Sequence, residues 1–133
     1  MPVSMARGTN LVALAEHDRW IRVIDANSGS EKFRTQAPGK GWLEAVALSA
    51  DGRILAACSG TDESTISLWD VAGGQPMLTL PGEGGPCWLT AFSPDGNTLV
   101  TWHELGMLDI WRTPSWEKIA AAEAKEKAEN KQP

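Results

Sequence analysis

The sequence predicts an all-β protein: three copies of one four-stranded antiparallel unit, followed by a short C-terminal helix or tail. Three observations carry this reading. The segment Leu48-Ser49-Ala50-Asp51-Gly52-Arg53 returns as Phe92-Ser93-Pro94-Asp95-Gly96-Asn97, with Asp51 and Asp95 44 residues apart. Each copy is followed by an apolar run (Ile54 to Cys58, Thr98 to Trp102) and then by an alternating run that ends on tryptophan, Ile66-Ser67-Leu68-Trp69 and Leu108-Asp109-Ile110-Trp111. A degenerate third copy lies 43 to 45 residues upstream of the second, with Leu11 to Ala15 and Ile21 to Asp25 in the places of the two runs.

The best-preserved copy gives the order of elements. Residues 43–49 form an apolar-rich strand that ends at Ala50-Asp51-Gly52-Arg53, where Asp can bond the local backbone and Gly can take a positive φ. Residues 54–59 are almost continuously apolar, as in a strand covered on both faces. Residues 65–71 alternate, giving a strand with two distinct faces. Gly73-Gly74 turns the chain into a fourth strand from Gln75 to Leu80. Four short strands in about 43 residues, separated by turn signals, describe a propeller blade. The blades are expected at about 2–42, 43–86 and 87–116, together forming residues 1–116, with an Ala/Glu/Lys-rich helix or tail over 117–133.

Bulk properties narrow the function classes. In 133 residues, 42% are hydrophobic and 22% charged, close to ordinary globular values and against wholesale disorder. A net charge of -5 with scattered Lys and Arg argues against nucleic acid and against anionic membranes. No apolar run approaches the roughly 20 residues needed to cross a bilayer. The segment Met1-Pro2-Val3-Ser4-Met5-Ala6-Arg7 does not read as a secretory signal, so the expectation is a cytoplasmic location with Cys58 and Cys87 as free thiols, the alternative being one disulfide between them. Seven Trp residues with no Tyr need somewhere to pack, and layered sheets supply it.

Two stretches, Phe92-Ser93-Pro94-Asp95-Gly96-Asn97-Thr98-Leu99 and Thr65-Ile66-Ser67-Leu68-Trp69-Asp70-Val71, resemble bacterial WD repeats. The resemblance covers residues 3–116; in the first copy Ile24 replaces the tryptophan. It implies a β-propeller with a polar tetrad in each blade, yet no Gly-His pair precedes a first strand, and Asp18, Glu63 and Leu105 occupy the tetrad's Asp position. The internal polar network is therefore expected to be largely missing, with Trp42, Trp69, Trp88 and Trp111 contributing apolar packing instead.

Propellers close with four to eight blades, so three leave apolar faces to be covered. Either copies assemble, two giving six blades, or the array is the C-terminal part of a longer propeller completed by a complementing half. Met1 falling directly at a first strand favours the second. In the tail, Thr113 can cap a helix with Pro114 in its first turn. Glu123 and Lys127 are spaced as an i,i+4 pair, and Trp116 and Ile119 share a face. The repeat register would instead make Glu117 to Ala122 a fourth strand.

Candidates for chemistry are few: Cys58, Cys87, His17, His103, Glu16 and Glu104. The cysteines read as small core hydrophobes. His17 and His103 occupy equivalent inter-strand loops, where solvation is the better reading, and no Cys/His pair has zinc spacing. Gly82-Glu83-Gly84-Gly85 lacks the Lys of a phosphate loop. Ser93-Pro94-Asp95-Gly96 fails as a sialidase Asp box, because its Gly comes one place early and Trp102 lies too far on. No catalytic, cofactor-binding or metal-binding residue is assigned, and the chain is not expected to be an enzyme.

What remains is surface. By the resemblance, the loops between second and third strands and between blades open on one face, which would carry His17, Arg19, Trp20, Lys40, Asp62, Glu63, Glu83, His103 and Glu104. Arg19 and Trp20 are the expected contacts, since Arg and aromatic residues anchor interfaces; the alternative is that Trp20 packs against a neighbouring blade. The expected function is a protein–protein interaction or scaffold module. The alternatives are a regulatory propeller portion of a larger enzyme such as a bacterial Ser/Thr protein kinase, as the resemblance implies, and a hydrolase-type propeller, against which the unclustered acids and histidines count.

Overall fold

The computed structural model describes residues 3–6, 8–39, 41–59, 65–81, 86–104, 106 and 108–112. Among the described residues, eleven strands fall into three antiparallel sheets in chain order. The first holds β1 (Val3–Met5), β2 (Leu11–Ala15), β3 (Trp20–Asp25) and β4 (Glu31–Gln36). The second holds β5 (Leu43–Leu48), β6 (Ile54–Ser59), β7 (Thr65–Asp70) and β8 (Gln75–Pro81). The third shows β9 (Cys87–Phe92), β10 (Thr98–His103) and β11 (Leu108–Arg112). Each strand pairs with its sequence neighbour, so each sheet is a simple meander. The expected C-terminal helix, with its alternative as a fourth strand, lies outside the described residues.

The repeated tight turns form for a reason written in the side chains. Ser49 Oγ donates to Asp51 Oδ1 at 2.6 Å and accepts from Ile54 N at 3.0 Å, while Asp51 Oδ1 also accepts from Arg53 N at 3.0 Å. Ser93 and Asp95 repeat the set with Thr98 N and Asn97 N at 3.1 and 2.9 Å. Gly52 and Gly96 sit at φ +74° and +76°, where a side chain would be strained. Burial opposes ionisation of Asp51, but the Ser49 hydroxyl and the Arg53 amide and charge outweigh it, holding the carboxyl below its ordinary range. Asp95 is held down by the Ser93 hydroxyl first and the Asn97 amide second.

The sheets stack face to face, and the middle one is covered on both sides. On one side, Ala13, Ala15, Ile21 and Val23 of the first sheet meet Val46, Leu48, Leu55, Ala57 and Trp69 of the second. On the other, Ala56, Cys58, Ile66 and Leu68 meet Cys87, Leu99 and the half-buried Phe92 and Trp111 of the third. Strand β6 is buried at every residue, as its continuous apolar run required. The backbones approach closely at Gly8, whose N–H donates to Ala50 O at 2.7 Å; a Cβ there would lie 2.6 Å from that oxygen.

Two expectations are corrected here. Cys58 and Cys87 are not free thiols: they are joined in a disulfide, their Cα atoms 6.0 Å apart. The tryptophans also divide. Trp69 is buried and Trp111 half-buried, but Trp42 and Trp88 are 63% and 49% exposed and belong to neither core layer.

Candidate interaction surface

Between β2 and β3 the chain makes a single tight turn, His17–Arg19, in which Asp18 and Arg19 both lie in the left-handed region at φ +60° and +66°. Such a conformation is costly for non-glycine residues, so the surroundings must hold it. They do so mainly through Arg19. Its guanidinium donates to Ala37 O (3.2 Å), Pro38 O (2.6 Å), Gly41 O (3.4 Å) and Ser59 Oγ (2.9 Å). Its backbone O accepts from Ala37 N at 2.9 Å, and Asp18 O accepts from Gln36 Nε2 at 2.8 Å. One side chain therefore fastens the turn, the crossing from the first sheet to the second, and the end of β6. Its burial draws the guanidinium pKa below the usual value.

This corrects the expectation for Arg19, which is buried inside the junction and does not project as a contact. Around it the surface opens into two clefts. One, of about 710 Å³, runs between Glu16, His17 and Asp18 on one wall and Trp42 and Glu44 on the other. Trp42 Nε1 donates to Glu44 Oε2 at 2.9 Å, which orients the exposed indole. The other cleft, of about 760 Å³, has Trp20, Gln36, Pro38 and Gly39 along its walls. Trp20 is 40% exposed, and His17 is exposed at the tip of the turn.

The remaining expected surface residues are scattered or undescribed. His103 is not a solvated loop residue: it ends β10, is fully buried, and its Nε2 lies 3.1 Å from both Thr101 Oγ1 and Asp109 Oδ2. The third sheet thus carries a polar cluster of its own, from a His at the end of its middle strand. Nearby, Thr90 Oγ1 and Trp111 Nε1 are buried without a hydrogen-bond partner. Glu104 is exposed, its N–H tied to Pro86 O at 2.9 Å. Lys40, Asp62, Glu63 and Glu83 lie outside the described residues. Sequence reasoning missed Trp42 as an exposed group. Its position beside Gly41, ahead of the inner strand rather than within it, was the available signal.

The outer faces of the array differ. The register β9–β10–β11 aligns Leu89, Trp102 and Leu108, with Ile110 beside them, on the side away from the second sheet; these residues are 45–56% exposed. On the first sheet, exposed Val3 and Met5 share the free face with an ionic group in which Arg22 bonds Glu31 at 2.8 Å and Glu16 at 3.1 Å, and Arg34 bonds Glu31 at 2.9 Å. Among the described residues there is no group of three His, Cys, Asp or Glu able to hold a metal, and no helix long and apolar enough to cross a membrane.

Comparison with known proteins agrees with this architecture. The WD domain, G-beta repeat family matches residues 29–70, which run from the outer strand of the first sheet through the first three strands of the second. An uncharacterized WD repeat-containing protein of Synechocystis sp. is 37% identical over 59 residues, 44% of this chain and 17% of the relative. The nuclear distribution protein PAC1 of Arthroderma benhamiae is 39% identical over 67 residues, 50% of this chain and 14% of the relative. The chain therefore spans under a fifth of the length of either. A chain of the crystal structure of the mitotic checkpoint complex superposes with a TM-score of 0.69 at 21% identity, over 86% of this chain and 37% of its own. Stacked antiparallel sheets, repeated Ser-x-Asp-Gly turns and these matches give the chain the fold of a partial propeller similar to that of WD-repeat proteins, with the repeat model itself matched over residues 29–70.

Proposed function

We propose that the chain is a non-catalytic protein–protein interaction module whose contact surface is the junction of the first two blades. The observation that carries this reading is the pair of exposed indoles, Trp20 and Trp42, lining two clefts on either side of a turn that Arg19 holds rigid. Aromatic groups anchor interfaces at low entropic cost when their setting is already fixed. His17, exposed at the tip of the turn, supplies an adjustable polar contact. The superposed chain of similar fold belongs to a mitotic checkpoint complex and so is held among partners, which is compatible with this reading.

The apolar outer face of the third blade is a second surface that needs cover. We take its occupant to be further blades, from a second copy or from a complementing propeller half. The small share of each relative that this chain spans fits the latter. A cytoplasmic setting, the expectation from the sequence, would expose the Cys58–Cys87 bond to thiol reductants.

The test is comparative affinity capture with the full chain and its Trp20→Ala and Trp42→Ala variants. Proteins held by the parent and lost with either variant, at unchanged circular dichroism, support the surface; an unchanged set of captured proteins removes it. Sedimentation at several concentrations separates the two kinds of cover. A defined dimer indicates closure by a second copy, whereas a monomer or a polydisperse species indicates the complementing half.

A further inference from the structure

We infer that Cys58 and Cys87 form a reversible oxidation site, a clasp that fastens the third blade to the second and is opened and closed by thiol–disulfide exchange. This goes beyond the interaction surface and is independent of it. Cys58 is the fifth residue of β6, and Cys87 is the first residue of β9. Both are fully buried in the core that joins the second and third sheets, beside Ile66, Leu68 and Leu99. The bond bridges 29 residues of sequence. It therefore crosses a blade boundary and does not staple a single sheet.

Its place in the array makes it controllable. A buried disulfide reacts only when local opening admits an attacking thiol, and such opening is cheapest where packing is one-sided. In the chain by itself the third blade is packed on its inner side only, Leu89, Trp102, Leu108 and Ile110 lying open on the other; further blades covering that face would slow the exchange. Cys87 stands at the very start of its strand, so lifting one strand end suffices. Closing proceeds in two exchanges. The thiolate of one cysteine attacks a small-molecule disulfide such as oxidised glutathione, forming a mixed disulfide and releasing one thiol. The second cysteine's thiolate then attacks the protein sulfur and releases the other. The two cysteines lose two electrons and two protons overall, and one glutathione disulfide becomes two glutathione thiols. In the reduced form both side chains remain as small apolar groups in the core, so the third blade stays folded but is held by packing alone.

The experiment uses the full chain, equilibrated across a series of reduced-to-oxidised glutathione ratios. Free thiols are counted by maleimide mass-tagging after denaturation, and hydrogen exchange is followed by mass spectrometry. Expected is one reversible transition that gains or loses two thiols together, with β9–β11 amides exchanging at least tenfold faster when reduced and β2–β3 amides changing less than twofold. A Cys58→Ala/Cys87→Ala variant should copy the reduced profile at every ratio. If that variant does not fold, the titration of the unaltered chain decides alone. Two free thiols at the most oxidising ratio, or identical β9–β11 exchange in both forms, overturns the inference.

Discussion

The junction between the first and second blades and the junction between the second and third are built on one plan but closed by different chemistry. Both have an apolar layer in which alternate residues of β6 take part. The first adds polar fasteners: Arg19 onto Ser59, Gly8 N onto Ala50 O, and Leu48 N onto Ser4 Oγ at 3.1 Å. The second adds a covalent one, Cys58 to Cys87. The guanidinium reaches carbonyls up to 22 residues away and responds to shape and charge, whereas the disulfide responds to redox poise. Two joints of similar geometry can thus be loosened by separate signals.

Breaking each fastener in turn should rank them. Cys58→Ala/Cys87→Ala should cost the most, about 3–4 kcal/mol in denaturant unfolding under oxidising conditions, because a loop of roughly 30 residues is no longer constrained in the unfolded chain. Arg19→Met should cost about 2–4 kcal/mol, since three carbonyls and the Ser59 hydroxyl lose a charged donor at once. Hydrogen exchange should locate that damage between the first two blades. Arg19→Lys should recover only part of it, a single ammonium being unable to fork toward four acceptors.

The turns sharpen the comparison at smaller scale. Asp51→Ala should cost about 1 kcal/mol, and Asp95→Ala less, because the second turn is more exposed. Both carboxyls are held below their ordinary range in the folded state. Their contribution is therefore fully present above the unfolded carboxylate pKa of about 3.9 and is lost as pH falls through the lower folded values. Thermal unfolding across that acid window should show a slope that shrinks in the double variant. Trp42→Ala should change stability by less than about 0.5 kcal/mol, its indole being largely solvated. A larger loss would mean that Trp42 belongs to the packing of the first junction.

The sequence displayed what is local. The repeated Ser-x-Asp-Gly turn, the unbroken apolar run of β6 and the alternation of β7 each fix an element within ten residues, and all were legible. Arg19 was legible as a residue but not as a buried one, because its acceptors lie 18 to 40 positions away and are mostly backbone oxygens that carry no signature. The disulfide was legible only as an alternative, disfavoured by the expected reducing compartment; its partners sit in different repeats at non-equivalent positions, so the repeat pattern could not argue for it. His103 was misplaced because the end of β10 runs one residue past a register shift, taking it from the loop into the core.

Cys58 and Ser59 are consecutive, and adjacent residues of a strand point to opposite sides. One therefore serves the third blade and the other the first. Inserting or deleting a single residue upstream in β6 would exchange their directions and undo both fastenings in one event, whereas point substitutions undo them one at a time. Either joint can be retuned by changing one side chain, but a change in the length of this strand disturbs both at once, so insertions should be tolerated only in the loops.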